Sequence, residues 1–178
     1  MRVITLTPDD FARDCRRLEQ ACGPAPDLVV GIASGGVHVA GHIYPGVPHT
    51  AVECHRPSTA AKARHEWIFA IIRLLPRAVR DRLRIIEAER LRKRPPAALP
   101  EVDIPPQTPA ARDILVVDDA VDSGTTMLAV VAALRRAVPA ARIHTAAITV
   151  TTPDPLIRPD TALYTDTLIR FPWARDYR

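Results

Sequence analysis

The chain has 178 residues, 47% hydrophobic and 25% charged, which is enough for one sizeable core and is near the globular average. Its three cysteines, Cys15, Cys22 and Cys54, form no CxxC pair; a disulfide framework or a zinc site of that kind is excluded, and a reducing, cytoplasmic setting is expected. The formal charge of +4 suits an anionic partner such as a polyphosphate or nucleic acid without requiring one, and the most apolar stretch, 67–72, ends at Arg73, well short of the roughly 18–20 residues of a membrane span.

Residues 1–6 are too short an apolar run for a signal peptide. Thr7-Pro8-Asp9-Asp10 combines an N-cap, a proline at the first helical position and an acid able to close a capping box. A helix follows, with Phe11, Cys15, Leu18 and Cys22 on one face and Gly23-Pro24 as its end. Leu28 to Ile32 is an almost uninterrupted apolar run, as in a parallel strand covered on both sides. Ala33-Ser34-Gly35-Gly36 turns out of it, and a helix is expected over 37–44. A second, shorter strand is expected over 50–54.

Residues 60–94 have a different character. Apolar and basic stretches on either side of Pro76 predict a helical hairpin broken at that proline. Six prolines between 95 and 109 predict an extended connection that is neither a central strand nor a helix. Ile114 to Val117 again reads as a buried strand, running into Asp118-Asp119. An amphipathic helix is predicted over 125–138, with Leu128, Val131, Leu134 and Val138 inward, and another strand over 143–150. The alternation of strands and helices predicts a single α/β domain over 1–178, with a central, mainly parallel sheet flanked by helices.

The chemistry concentrates in Ile114 to Thr126, which reads as strand, two acids, small-residue loop and helix start. Ligands of α/β sheets gather at the carboxyl ends of strands, so paired carboxylates and a phosphate-sized loop share that edge. Asp118 and Asp119 suit vicinal sugar hydroxyls, met directly or through Mg²⁺, a cation that takes oxygen ligands and keeps waters. Ser123, Gly124, Thr125 and Thr126 offer hydroxyls and backbone amides at a helix N-terminus, which attracts a phosphate. A receiver-type phosphoacceptor would carry its acids near the first strand, and a nucleotide P-loop would need the absent Gly-Lys-Ser/Thr.

This segment resembles the phosphoribosyl pyrophosphate (PRPP) motif of type I phosphoribosyltransferases: an apolar strand, two acids, two residues, then Asp-Ser/Thr-Gly-x-Thr. The resemblance implies that Asp118 and Asp119 hold the ribose hydroxyls and Mg²⁺, directly or through water. It also implies that Asp122 to Thr126 hold the 5-phosphate, with Asp122 near the acceptor and Val121 beside it. Ala33, Ser34, Gly35 and Gly36 match the family's pyrophosphate turn, where glycine lets the main chain approach an anion closely. The family's mobile cover corresponds to the region around 56–64, with Arg56, Lys62 and Arg64 able to reach pyrophosphate. The ending Thr167-Leu168-Ile169-Arg170-Phe171-Pro172-Trp173 is similar to the Trp-Ile-x-x-Pro-Trp hood of xanthine-guanine type enzymes. By that likeness 150–178 form a hood, and Thr152, Leu168, Phe171 and Trp173 meet the acceptor.

Leu168 stands where that hood has a stacking tryptophan, and Thr152 where it has a lysine. The acceptor therefore stays open among guanine, hypoxanthine, adenine, a pyrimidine and another heterocycle. The function implied is transfer of 5-phosphoribosyl from PRPP to a ring nitrogen, in nucleotide salvage or a specialised pathway. A second reading is a PRPP-sensing regulator that binds RNA or DNA through its basic insertion: eight arginines and Lys93 lie within 73–94 against Asp81, Glu87 and Glu89. No aromatic interleaving or known DNA-reading motif accompanies them, so nucleic acid is not an expected partner. A homodimer is the expected assembly, through Trp67, Ile68, Ile71, Ile72 and Leu75. The six histidines are too scattered to assign a metal to them.

Overall fold

The computed structural model describes residues 2–55, 76–92, 99–105, 108–174 and 177. Strand β1 (Arg2–Thr5) leads into helix α1 (Pro8–Cys22). The helix starts as its sequence dictates: Thr7 Oγ1 accepts from the Asp10 amide at 3.1 Å, and Asp10 Oδ2 accepts from the Thr7 amide at 3.1 Å. Removing such a cap costs about 1 kcal/mol. The helix ends at Gly23, whose φ of +88° is backbone that a side chain disfavours. Phe11, Cys15 and Leu18 are buried, as the spacing predicts.

Strand β2 (Leu28–Ile32), helix α2 (Gly35–Ala40), strand β3 (His49–Val52) and the two-residue strand β4 (Cys54–His55) follow. Helix α2 begins two residues earlier than expected, so Gly35 and Gly36 form its first turn and do not precede it. The apolar run expected as one strand over 50–54 divides between β3 and β4, which pair with different partners. Helix α3 (Arg77–Arg92) begins directly after Pro76, and the preceding half of the expected hairpin lies outside the described residues. So do Arg56, Lys62 and Arg64 and the proposed dimer face at 67–75.

Within the proline-rich connection, strand β5 (Glu101–Val102) pairs antiparallel with β4, and Thr108–Ala110 form one 3-10 turn. Strand β6 (Asp113–Val121), helix α4 (Thr125–Ala137), strand β7 (Arg142–Val150), strand β8 (Thr161–Thr165) and strand β9 (Thr167–Arg170) complete the order.

Five strands form one wholly parallel sheet in the order β3-β2-β6-β7-β8, and β1 pairs parallel with β9 in a separate ribbon. Alternation along β6 divides the core. Leu115 and Val117 face the layer containing Phe11, Leu18, Val39 and Ile148, whereas Ile114 and Val116 face Met127, Val130 and Leu134. Fully burying each such side chain is worth about 1.5–3 kcal/mol. On α4 the larger buried side chains are Met127, Val130, Val131 and Leu134; Leu128 is half-buried, and Val138 is buried but lies just past the helix end.

Strand β6 runs on through Asp118, Asp119 and Val121, because β7 supplies partners as far as Val150. The acids are therefore part of the strand. Residues 161–165, within the span expected as a hood, are the edge strand of the main sheet.

Candidate active site at the carboxyl edge of the parallel sheet

Register brings the site together. Gly31 lies beside Val117, and Val121 beside Val150, so the segments leaving β2, β6 and β7 emerge next to one another. The 33–36 turn, the 118–126 segment and Thr151-Thr152 are consequently neighbours, although about 90 residues separate the first two in sequence.

Glycine allows the two loops to close on each other. A β-carbon on Gly35 would fall within the Asp119 carboxylate, and one on Gly36 would strike the Val117 carbonyl and lie 3.0 Å from the Asp118 Cα. Gly35 and Gly36 are buried, while Ala33 and Ser34 are exposed. Ser34 is the N-cap of α2 but makes no capping bond with its side chain, and the Ala33–Ser34 peptide is cis. The Ala33 amide donates to the Val52 carbonyl at 2.9 Å, fixing the start of the turn.

Asp118 and Asp119 are half-buried side by side, with Asp118 Oδ1 accepting from the Asp119 amide at 2.9 Å. Burial, then the charge of Asp119, pushes the Asp118 carboxyl well above its ordinary range. Burial also raises Asp119, against hydrogen bonds from Asp118, the Ala120 amide and the Trp173 indole. Two crowded carboxyls that resist ionising together are relieved by a cation or by hydroxyl donors. Their oxygen-only donor set fits Mg²⁺, whose remaining positions would be filled by substrate oxygens and water. No cluster of three or more His, Cys, Asp or Glu occurs among the described residues, so any such ion would depend on this pair and its substrate.

The loop after β6 ends in a helix start. Gly124 has φ +76°, and a β-carbon there would meet the Ile157 backbone at 2.9 Å, so both conformation and space call for glycine. The N-terminus of α4 has no side-chain cap from Gly124; Ser123 Oγ and Thr125 Oγ1 share a hydrogen bond of 2.9 Å, and the Thr125 amide lies 3.4 Å from Ser123 Oγ. Asp122 and Ser123 are exposed. The helix-end amides and hydroxyls of this loop have the donors that an anion would need.

Two contacts were not foreseen from sequence. Thr151, buried at the end of β7, donates its hydroxyl to Asp122 Oδ1 in a short hydrogen bond, while its amide donates to the Val121 carbonyl at 2.9 Å. His38 on α2 stacks on Trp173 with ring centroids 4.2 Å apart. Neither has a motif signature; only the pairing of β6 with β7, and the packing of the C-terminal segment on α2, produce them.

The residues expected at the acceptor do not share one environment. Val121 is 2% exposed and packs in the α4-side core. Phe171 is 5% exposed and packs in the opposite core. Leu168 is half-buried on β9, Thr152 is half-buried after β7, and Trp173 is half-buried and stacked on His38 and Phe171. Nearby, buried Arg170 donates to Thr5 Oγ1 at 2.9 Å and Asp81 Oδ1 at 2.7 Å, tying α3 to the β1–β9 ribbon.

A parallel sheet with helices on both faces, with an acid pair and a strand-to-helix loop at its carboxyl edge, defines the class as a parallel α/β domain. The phosphoribosyl transferase domain profile matches residues 9–174, and the chain belongs to the type I phosphoribosyltransferase family. The purine phosphoribosyltransferase of Pyrococcus horikoshii is 20% identical, with 98% of this chain and 95% of that one covered and a TM-score of 0.65. The xanthine-guanine-hypoxanthine phosphoribosyltransferase of Helicobacter pylori is 15% identical, with 97% and 92% covered and a TM-score of 0.63. A hypothetical protein from Neisseria gonorrhoeae with bound ppGpp is 18% identical, with 97% and 89% covered and a TM-score of 0.58. At such identities the likeness is one of fold. No curated protein matches the chain.

Proposed function

We propose that the protein transfers the 5-phosphoribosyl group of PRPP to a ring nitrogen of a heterocyclic acceptor, releasing pyrophosphate. The observation that carries this is the contact of Asp119 with Gly35, which sets the acid pair directly beside the 33–36 turn. Sugar hydroxyls on the acids then leave the pyrophosphate facing the α2 turn and the 5-phosphate facing the 123–126 cradle. Bound Mg²⁺ would neutralise pyrophosphate as it leaves.

In the reaction, the acceptor nitrogen forms a bond to the anomeric carbon as the bond from that carbon to the pyrophosphate oxygen breaks. The nitrogen's proton is lost, and Asp122, the exposed carboxylate of the loop, is the proposed group to receive it. The protein's part is alignment, placement of donors at the developing charges and exclusion of water from the sugar cation. Arg56, Lys62 and Arg64 belong to this reading as pyrophosphate contacts, and Thr152 and Leu168 as acceptor contacts. Purine enzymes of similar fold make a purine the first acceptor to test, and a salvage role in the cytoplasm belongs to the same proposal.

The reading of α3 as a nucleic-acid face gains no support from its contacts. Arg80 is buried, Asp81 is bonded to Arg170, and Arg84 donates to the Ile169 carbonyl at 3.3 Å, so part of its charge is spent within the chain. The test of function is calorimetric titration with PRPP and Mg²⁺, followed by incubation with PRPP, Mg²⁺ and a heterocycle panel. Pyrophosphate release and product mass report turnover. Binding expected for the native chain and lost in Asp118→Asn with Asp119→Asn supports the proposal; no binding by the native chain ends it.

A further inference from the structure

Strands β7 and β8 run parallel, so the chain between them returns from Val150 at the carboxyl edge to Thr161 beside Ala146. Such a crossover is usually a helix. Here it is the irregular segment 151–160, with Pro153, Pro155 and Pro159 among its ten residues. Each proline fixes its own φ and so removes freedom from the segment.

Both ends of the crossover are tied to the sheet. At the first, the Thr151 amide donates to the Val121 carbonyl at 2.9 Å. At the second, Asp160 Oδ2 accepts from the Thr145 amide and hydroxyl, each at 2.8 Å, and the Asp160 amide donates to Thr145 Oγ1 at 2.9 Å. Between them Arg158 donates to the Pro153 carbonyl in a short hydrogen bond, which closes the segment on itself.

This anchored segment meets three consecutive residues of the loop after β6, each through a different group. Thr151 Oγ1 donates to Asp122 Oδ1, and the Leu156 amide donates to the Ser123 carbonyl at 2.8 Å. The Ile157 backbone N and O stand 2.9 Å from where a β-carbon on Gly124 would lie. None of these contacts is needed to join β7 to β8. What they constrain is the loop, whose Asp122 and Ser123 are exposed and whose Gly124, at φ +76°, has no side chain to limit its backbone.

We propose that the 151–160 crossover is a positioning clamp for the 122–124 loop. Its Thr151 end orients the Asp122 carboxylate toward the acceptor, and its 156–157 main chain sets the shape of the loop that receives the 5-phosphate. The proposal rests on the PRPP reading above. It makes a separate demand, because the two ends of one segment must act on different substrates.

The experiment uses the full chain. Thr151→Val keeps the side-chain shape and removes the hydroxyl; it is expected to lower kcat about tenfold with the Mg²⁺-PRPP Kd unchanged, and Thr151→Ser is expected to restore kcat. Leu156→Pro removes the amide donor and surrenders only a side chain that is 51% exposed. It is expected to weaken Mg²⁺-PRPP and ribose 5-phosphate alike, about tenfold each in calorimetry, with a smaller loss in kcat at saturating PRPP.

Thermal melting shows which variants are folded. If Leu156→Pro is not, Arg158→Leu, which opens the closure onto Pro153, carries that arm with an expected loss of about threefold in PRPP affinity. If Thr151→Val is not, Thr151→Ala takes its place on the same terms. Unchanged kcat in the folded Thr151 variant, a loss that serine does not restore, or unchanged PRPP affinity in the folded variant of the other arm each overturns the proposal. Equal losses of kcat and PRPP affinity in both variants also overturn it, since they would report only a loosened loop. A native chain that does not bind Mg²⁺-PRPP removes the underlying reading and this proposal together, an outcome distinct from native binding that the variants leave untouched.

Discussion

The 33–36 turn and the 167–173 segment both lie close to the acid pair, but they are made of different materials. The turn reaches Asp118 and Asp119 with main chain: Gly35 and Gly36 are buried, and their missing side chains are what permits the approach. The C-terminal segment arrives with large side chains, Arg170, Phe171 and Trp173, each committed to partners within the protein. An anion held by backbone amides needs a fixed loop shape, and sequence can change little there without loss. A segment that acts through side chains can exchange them and so retune what it meets. On the function proposed above, the sugar-phosphate half is the conservative half in physical terms, and the acceptor half is the adjustable one.

The largest effect should come from the acids. Asp118→Asn with Asp119→Asn is expected to abolish detectable Mg²⁺-PRPP binding in calorimetry while making the apo protein more stable. The direction follows from Asp118: its carboxyl is held well above the ordinary range by burial and by Asp119, so the folded state disfavours the ionised form. The stability this group contributes is fully present below the usual carboxylate pKa of about 3.9 and is lost as pH rises through the raised value. Thermal melts between pH 4 and pH 8 should show the native chain losing stability relative to Asp118→Asn as pH rises. A gap of about 2–4 °C at neutral pH corresponds to about 1 kcal/mol in a chain of this size.

The glycines sharpen the contrast next. Gly35→Ala meets a side chain that can move, so it should fold but displace Asp119 and weaken PRPP binding about 100-fold, equivalent to about 2.7 kcal/mol. Gly36→Ala meets the Val117 carbonyl, which belongs to the central strand and cannot retreat. Its cost should appear as lost stability of about 2–3 kcal/mol in denaturant unfolding. Equal behaviour of the two variants would break the claim that the turn serves the acid through Gly35 specifically.

Smaller effects are expected toward the acceptor. Thr151→Val removes the hydroxyl that holds Asp122 and should lower kcat about tenfold with PRPP affinity unchanged, whereas Thr151→Ser should retain activity. Leu168→Ala should raise the acceptor KM about three- to tenfold while leaving the PRPP Kd unchanged. If Leu168→Ala weakened PRPP binding instead, the division between a backbone half and a side-chain half would fail.

Much of the sugar-phosphate half was legible in the chain itself, because its signals are local. The capping box at Thr7, the apolar runs at 28–32 and 114–117, and the acid-acid-x-x-Asp-Ser-Gly sequence each lie within a few consecutive residues. Their physical meaning does not depend on distant partners. Boundaries were less legible where pairing decides them. Asp118 to Val121 read as the exit from a strand, yet hydrogen bonds to β7 keep them in it. On α4, periodicity suggested Leu128 as an inward position, but the direction of the helix against the sheet buries Met127 and Val130 and leaves Leu128 half-exposed to the rim.

The acceptor half was the least legible because its parts come from separate ends of the chain. Val121 and Phe171, expected at the ligand, are drawn into opposite cores by the packing of the α4 side and of the C-terminal segment. Thr151 and His38, which had no motif to announce them, are brought to Asp122 and Trp173 by strand register and helix docking. The sequence by itself determined the α/β class and the acid-rich strand-to-helix segment over 118–126, since residue type and near-neighbour spacing set hydrogen-bonding capacity and secondary structure. Only the tertiary structure decided that Asp119 rests on Gly35 and that Trp173 stacks on His38. Contacts between residues more than 50 positions apart depend on strand order and close packing, which no local pattern encodes.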